Sequence, residues 1–208
     1  VRRTSEIGRS QRLRIIHAIK KSQGLSVNEL AKRLSLSYMG VKQHCEELER
    51  QGYVDTWRRP KPIGRPEMTY RLTPKAQSFF PATSNAATIE ILRAANRLYG
   101  PTAAEKLLYA LFAAKAEEYM RKLRGQTVLE LTEMLAKIRD EEGYLSAVEN
   151  SDSLILVEYH SPIFDLLQEF PLVRRLEREM LEKVLGAPIE RDEQTASGLY
   201  RCRFVLRV

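Results

Sequence analysis

Two helix-start signals stand eleven positions apart, at Ser26 and Ser37, and leave room for only one short helix and a tight turn between them. Ser26-Val27-Asn28-Glu29 has the form of a capping box: the Ser hydroxyl accepts from the amide three residues on, and the Glu carboxylate accepts from the Ser amide. Val27, Leu30, Ala31 and Leu34 then recur at helical spacing. Ser35-Leu36-Ser37 interrupts that pattern, and Ser37 is placed to cap a second helix. There Val41, Cys45 and Leu48 form an inward stripe, which leaves Tyr38, Met39, Lys42 and Gln43 outward near the N-terminal end. Gly52 closes this helix as a residue that tolerates the left-handed conformation. Upstream, Leu13, Ile15, Ile16 and Ile19 give a preceding helix its apolar face, ended at Ser22-Gln23-Gly24. The expectation is a three-helix core whose last two helices meet at a tight turn.

After Gly52, Tyr53 to Arg59 reads as a strand, Pro60-Lys61-Pro62-Ile63-Gly64-Arg65-Pro66 as a turn, and Met68, Tyr70 and Leu72 alternate with Thr69 and Arg71 in a returning strand. Arg58, Arg59, Lys61, Arg65 and Arg71 crowd this one hairpin, where like charges repel unless an anionic partner neutralises them. An outward Gln43 can present a bidentate amide to adenine, Lys42 can donate to guanine or phosphate, and Tyr38 can meet a phosphate or a thymine methyl. Ser37, Met39 and His44 lie beside them, His44 between the inward stripe and the outward face, where it either bonds within the domain or donates to a phosphate. The predicted DNA-contacting set is therefore Ser37, Tyr38, Met39, Lys42, Gln43, His44, Arg58, Arg59, Lys61 and Arg65. Charge agrees: residues 1–80 hold 17 Lys and Arg against 7 Asp and Glu, whereas residues 81–208 hold 17 against 20, within a total of +7.

The runs Glu29-Leu30-Ala31-Lys32-Arg33-Leu34-Ser35-Leu36-Ser37, Val41-Lys42-Gln43-His44, Leu48-Glu49-Arg50-Gln51-Gly52-Tyr53-Val54, Gly64-Arg65-Pro66 and Tyr70-Arg71-Leu72-Thr73 resemble bacterial winged helix-turn-helix regulators of the ArsR and DeoR kind. The resemblance covers the first third of the chain. It implies a homodimer on double-stranded DNA, with recognition helices in successive major grooves and wings along the minor groove or backbone.

The sequence divides into a winged helix domain at 1–80, a helical linker and dimerisation region at 81–143, and an α+β sensor-like domain with an antiparallel sheet at 144–208. The fold class is α+β. In the middle region Ile89, Ile91, Leu92, Ala95 and Leu98 make one helix up to Gly100-Pro101, and a second from Thr102 to Leu123 carries Leu107, Leu108, Ala110, Leu111, Ala114 and Tyr119 on a broad apolar surface. A third spans Val128 to Asp140. That apolar surplus suits a twin chain, and a symmetric pair reads two half-sites about one helical turn apart. Tyr144 to Val148, Leu154 to Tyr159, Ile189 to Arg191 and Tyr200 to Val208 read as strands, with helices over Pro162 to Gln168 and Pro171 to Leu185. No apolar run approaches the roughly 20 residues of a membrane span, no hydrophobic signal region follows Arg2-Arg3, and Cys45 and Cys202 make no disulfide framework, so a cytoplasmic location is expected.

His160-Ser161-Pro162-Ile163, Glu169-Phe170-Pro171-Leu172-Val173-Arg174 and Gly198-Leu199-Tyr200-Arg201-Cys202 resemble the C-terminal domain of repressors that sense iron–sulfur clusters and govern cluster assembly genes. In that family each motif supplies a cysteine; here the positions hold Ser161, Arg174 and Cys202. One thiolate cannot hold a cluster, so no cofactor and no metal are expected. His160, Ser161, Arg174 and Cys202 are instead a candidate pocket for a small-molecule effector. No enzymatic function is expected: His160, Ser161 and Asp165 lack the context of a nucleophile elbow, and no Walker loop, dinucleotide fingerprint or zinc spacing occurs.

Overall fold

The computed structural model describes residues 2–22, 24–60, 66–80, 85–150, 152–196 and 199–207. The chain is mixed α+β and divides into two compact units, one centred on residues 1–81 and the other on residues 82–195 and 200–208.

In the first unit, α1 (Arg2–Lys20), α2 (Val27–Leu34) and α3 (Tyr38–Arg50) precede a hairpin of β1 (Val54–Arg59) and β2 (Glu67–Leu72) and a 3-10 helix at Pro74–Phe79. Ile15, Ile16, Ile19, Leu30, Val41, Cys45 and Leu48 are fully or almost fully buried, so the inward stripes meet in one core, except that Leu13, read as part of the apolar face of the first helix, is 42 % exposed. Gly52 takes φ +76 just past α3, where the Tyr53 amide returns to the Leu48 carbonyl at 2.9 Å and turns the chain into β1. β1 and β2 pair antiparallel from Val54↔Leu72 to Arg59↔Glu67, and Leu25 adds a bridge to Tyr70. The simple alternation expected of β2 is not kept. Met68 is exposed, whereas Thr69 is buried and its hydroxyl donates to the Trp57 carbonyl at 3.0 Å.

The second unit holds α4 (Ala86–Tyr99), α5 (Ala103–Lys122), α6 (Val128–Glu141), β3 (Ser146–Asn150), β4 (Leu154–Glu158), α7 (Phe164–Glu169), α8 (Leu172–Leu185), β5 (Ile189–Ala196) and β6 (Leu199–Leu206). The four strands form one antiparallel sheet in the order β3-β4-β6-β5. A second capping box, Thr127 with Glu130, starts α6. β3 begins two residues later than its aromatic start suggests, because Leu145 lies at φ +53 and the Tyr144 amide still bonds the Arg139 carbonyl at 3.0 Å. β5 runs five residues past Arg191 through polar Asp192, Glu193 and Gln194, which carry no hydrophobic alternation to announce a strand. Residues 81–143 and 144–208, read from the sequence as separate regions, share a single core: Leu108, Phe112 and Tyr119 of α5 and Leu135 of α6 lie in one cluster with Leu156 of β4, Leu176 of α8 and Phe204 of β6.

At the centre of that unit are buried charges. Arg139 of α6, Glu158 of β4 and Glu177 of α8 are each 1 % exposed. Arg139 binds Glu158 through Nε and, at 3.0 Å, through Nη2, and Nη2 reaches Glu177 Oε1 at 2.8 Å. Its guanidinium stacks 3.7 Å over the Tyr144 ring, and Nη1 donates to Tyr119 Oη at 3.4 Å. Arg191 of β5 closes the second side of Glu177 at 2.8 Å. Burial pushes the Glu158 carboxyl up to about 7, outweighing the pull of Arg139.

Two outcomes follow from these buried charges. Arg139→Met should destabilise the chain by about 3–5 kcal/mol, because it strands two buried carboxylates; the triple variant with Glu158→Gln and Glu177→Gln should recover most of that loss in urea unfolding, and a cheap single variant would show the pairing to be incidental. A carboxyl whose folded value is raised favours the folded state most below its ordinary value of 4.5, and that contribution is lost as pH rises through about 7. Urea midpoints of the wild type should therefore fall between pH 5 and pH 8 by more than those of Glu158→Gln.

Candidate nucleic-acid interface

The predicted reading head is assembled by short-range bonds. Ser26 Oγ accepts from the Glu29 amide at 3.3 Å and Glu29 Oε2 accepts from the Ser26 amide at 2.8 Å, which starts α2. Ser35 ends it in the left-handed region at φ +54, and the Leu36 amide returns to the Ala31 carbonyl at 3.0 Å. Ser37 Oγ then accepts from the Gly40 amide at 3.2 Å and starts α3. The oxygen of Ser37 thus caps the helix, and its O–H, on an exposed residue, is still a donor. Val41, Cys45 and Leu48 are 0 % exposed, and burial raises the Cys45 thiol to about 12, so it packs as a small neutral hydrophobe.

With that stripe inward, Tyr38 and Met39 are 48 % and 69 % exposed at the first turn of α3, and Lys42 and Gln43 are exposed on the next. Lys42 lies 3.6 Å from Glu46 in an exposed pair. A pair of that kind is worth about 0.3–0.5 kcal/mol, too little to keep the ammonium from a phosphate. His44 differs. It is half-buried, its Nε2 lies 3.0 Å from Gln11 Oε1, and burial followed by the charge of Arg12 lowers its pKa. It links α3 to α1 through Nε2, the internal bond that was one of the two alternatives for this residue.

The hairpin also divides its arginines. Arg58 is exposed and forms no ion pair among the described residues. Arg59 is held between Glu29 Oε1 at 2.7 Å and Glu67 Oε2 at 2.9 Å, which ties α2 to the hairpin. Although partial burial acts to raise it, the Glu29 carboxyl is held below its ordinary value by the Ser26 amide and by Arg59. Arg59 therefore braces α2 against the hairpin through Nη2, while its side chain remains 36 % exposed. Lys61 and Arg65 lie outside the described residues. Sequence reasoning passed over Trp57, which is 45 % exposed on β1 with the Arg71 guanidinium 5.3 Å above its ring and Arg71 paired with Asp55 at 3.3 Å. Its signal was available, since an aromatic in a basic hairpin is an unusual surface residue.

The four residues read as an effector pocket come from the loop after β4, from α8 and from β6. Ser161, in the loop after β4, is 2 % exposed and its Oγ has no hydrogen-bond partner among the described residues. His160 precedes it and Asp165 is exposed on α7, so no serine–histidine–aspartate relay is formed. Arg174 of α8 grips Glu193 of β5 with two bonds of 3.1 Å and donates to the Leu167 carbonyl. Cys202 is 0 % exposed on β6, opposite Glu158, and burial raises its thiol well above the usual range. Arg191 borders both Arg174, whose carbonyl it reaches at 3.2 Å, and Cys202, whose thiol its charge acts on. A serine, a guanidinium engaged with carboxylate and a buried neutral thiol do not fit the donor set of an iron–sulfur cluster. Among the described residues no three His, Cys, Asp or Glu side chains gather as a metal-binding group.

Residues 9–55 match the family described as winged helix-turn-helix DNA-binding. The match spans α1 from Arg9, all of α2 and α3, and the first two residues of β1. A comparison with curated proteins finds no match. Among the described residues no helix is long and apolar enough to cross a membrane.

Proposed function

We propose that this chain is a sequence-specific, DNA-binding transcription regulator that acts as a homodimer on a palindromic operator and takes a small effector in its C-terminal part. The observation that carries the reading is the sorting of α3, in which every inward residue is buried and Tyr38, Met39, Lys42 and Gln43 are left at the N-terminal end, the part of a recognition helix that meets base edges. The winged helix-turn-helix match favours a regulator over an enzyme. Support for the homodimer comes from α4 and α5, where Ile91, Leu98, Tyr99, Leu107 and Leu111 are 49–81 % exposed. Apolar side chains of that size on neighbouring helices favour burial against a second copy, at about 1.5–3 kcal/mol for each that is fully covered.

Fluorescence anisotropy with a selected DNA duplex, titrated in salt, tests the first part. Lys42→Ala and Arg58→Ala should each flatten the dependence of log affinity on log salt by about one unit. Gln43→Ala should cost about 1–3 kcal/mol and relax preference at one base position. If Lys42→Ala and Arg58→Ala both leave slope and affinity unchanged, this face does not meet DNA. Sedimentation equilibrium tests the second part: the wild type should be dimeric at micromolar concentration, and Leu98→Glu with Leu107→Glu should weaken association at least about tenfold, the equivalent of about 1.4 kcal/mol. A monomeric wild type would end the homodimer reading.

A further inference from the structure

Between α8, the start of β5 and the chain after β6 lies a hollow of about 520 Å3, within the range of about 300–1,000 Å3 usual for small-ligand sites. Five of its nine lining residues are arginines, namely Arg174, Arg175, Arg178, Arg191 and Arg207, against two carboxylates, Glu182 and Glu190. Behind the lining, Glu193 pairs with Arg174 and Arg191, Glu177 with Arg191, and Glu179 lies 3.7 Å from Arg175 and 3.9 Å from Arg178, so the hollow presents clustered guanidinium donors rather than a net charge. Arg174, Arg175 and Arg178 come within about one turn of a single helix, and Arg191 and Arg207 are brought to them by the strands.

The inner guanidiniums are fixed before any ligand arrives. Arg191 is 8 % exposed and binds Glu177 at 2.8 Å, Glu193 at 2.9 Å, Tyr200 Oη at 3.0 Å and the Arg174 carbonyl at 3.2 Å, while its Nε is buried with no hydrogen-bond partner among the described residues. Its charge is secure: burial acts against it, and Glu177 raises its pKa above the ordinary arginine value. Glu193 grips Arg174 with both oxygens. Glu182, one of the two lining carboxylates, is already occupied by Arg178 Nη1 at 2.7 Å and by the Ile189 amide at 2.9 Å. The outer guanidiniums keep donors in hand. A guanidinium has five N–H donors, and Arg207, 71 % exposed, makes one hydrogen bond with Glu190 at 2.9 Å, a surface pair of small worth.

We propose that this hollow binds a small anion through phosphoryl or carboxylate groups, and that the anion is the effector of the regulator. The second half rests on the regulator reading above; the binding itself does not. Guanidiniums match both groups with paired, charge-assisted bonds, made through the N–H donors that their own carboxylate partners leave unused. Of the four residues that the sequence marks as an effector pocket, Arg174 alone lines the hollow.

Isothermal titration of the full chain with pyrophosphate and with citrate, at constant ionic strength, tests the site. At least one should bind saturably at one site per chain; tighter pyrophosphate identifies a phosphoryl ligand and tighter citrate a carboxylate ligand. The double variant Arg178→Gln with Arg207→Gln should weaken that binding at least about tenfold, roughly the loss of one charge-assisted contact. Lys183→Gln, on the same helix but paired with Glu117 away from the lining, should leave it unchanged. Absence of saturable binding for both anions, equal affinity in the double variant, or an equal loss in Lys183→Gln would each overturn the site. The last two results would place the anion on the basic N-terminal unit or in the diffuse charge of the chain. The same proteins titrated with DNA separate the two readings. DNA binding without anion binding removes only this site, and anion binding without DNA binding removes only the regulator. An operator affinity that the anion shifts in the wild type and not in the double variant establishes the effector role; an affinity it leaves unchanged in both removes that role.

Discussion

Arg139 is the charge on which the second unit depends. Moving an ion of this size out of water costs several kcal/mol even after the protein relaxes, and the attraction of one partner seldom offsets it. Here the offset is spread over Glu158 on β4, Glu177 on α8, the Tyr144 ring and the Tyr119 hydroxyl, so a helix, a strand and a second helix must arrive together. Sheet register is part of the same condition. Glu158 lies opposite Ser146 on β3 and Cys202 on β6, and a slip of one residue in β4 would turn its carboxylate to the other face. Among the described residues the buried cation of α6 is matched by carboxylates that come after residue 150, so α6 reaches charge balance together with β4 and α8.

Elements specified by nearby residues were legible from the amino-acid order. The cap of α2 needs Ser26 and Glu29, that of α3 needs Ser37 and Gly40, and the end of α4 needs Gly100, all within a turn of the backbone groups they satisfy. Partnerships between distant positions were not legible. Arg59 looks like any other wing arginine until the hairpin brings it to Glu29, 30 positions earlier, and His44 becomes internal only because Gln11 lies 33 positions away on α1. Glu158 reads as the polar end of a strand and Glu177 as one more charge on a charged helix; each is in fact 1 % exposed. Periodicity reports which face of an element is apolar, and it has no means of reporting which polar residue on that face will find a counterion.

The first unit handles its basic residues by the same logic with a different result. Arg59, still 36 % exposed, is braced between Glu29 and Glu67, and Arg14 reaches the Leu34 carbonyl at 2.9 Å to tie α1 to α2. Lys42 has only an exposed neighbour at 3.6 Å, and Arg58 has none among the described residues. The basic count of residues 1–80 thus overstates the number of cations free for a polyanion, and it is the division between framework and free cations that gives the face its chemistry.

Glu177 joins the two charged features of the second unit into one electrostatic system. Its Oε1 accepts from Arg139 in the core, and its Oε2 accepts from Arg191, which lines the arginine hollow. The charge of Arg191 also acts to lower the Glu158 carboxyl, against the burial that raises it. Glu177 thus holds two guanidiniums at once, Arg139 from α6 and Arg191 from β5, and a fully satisfied buried carboxylate of this kind fixes the wall of the hollow to the charge at the centre of the core.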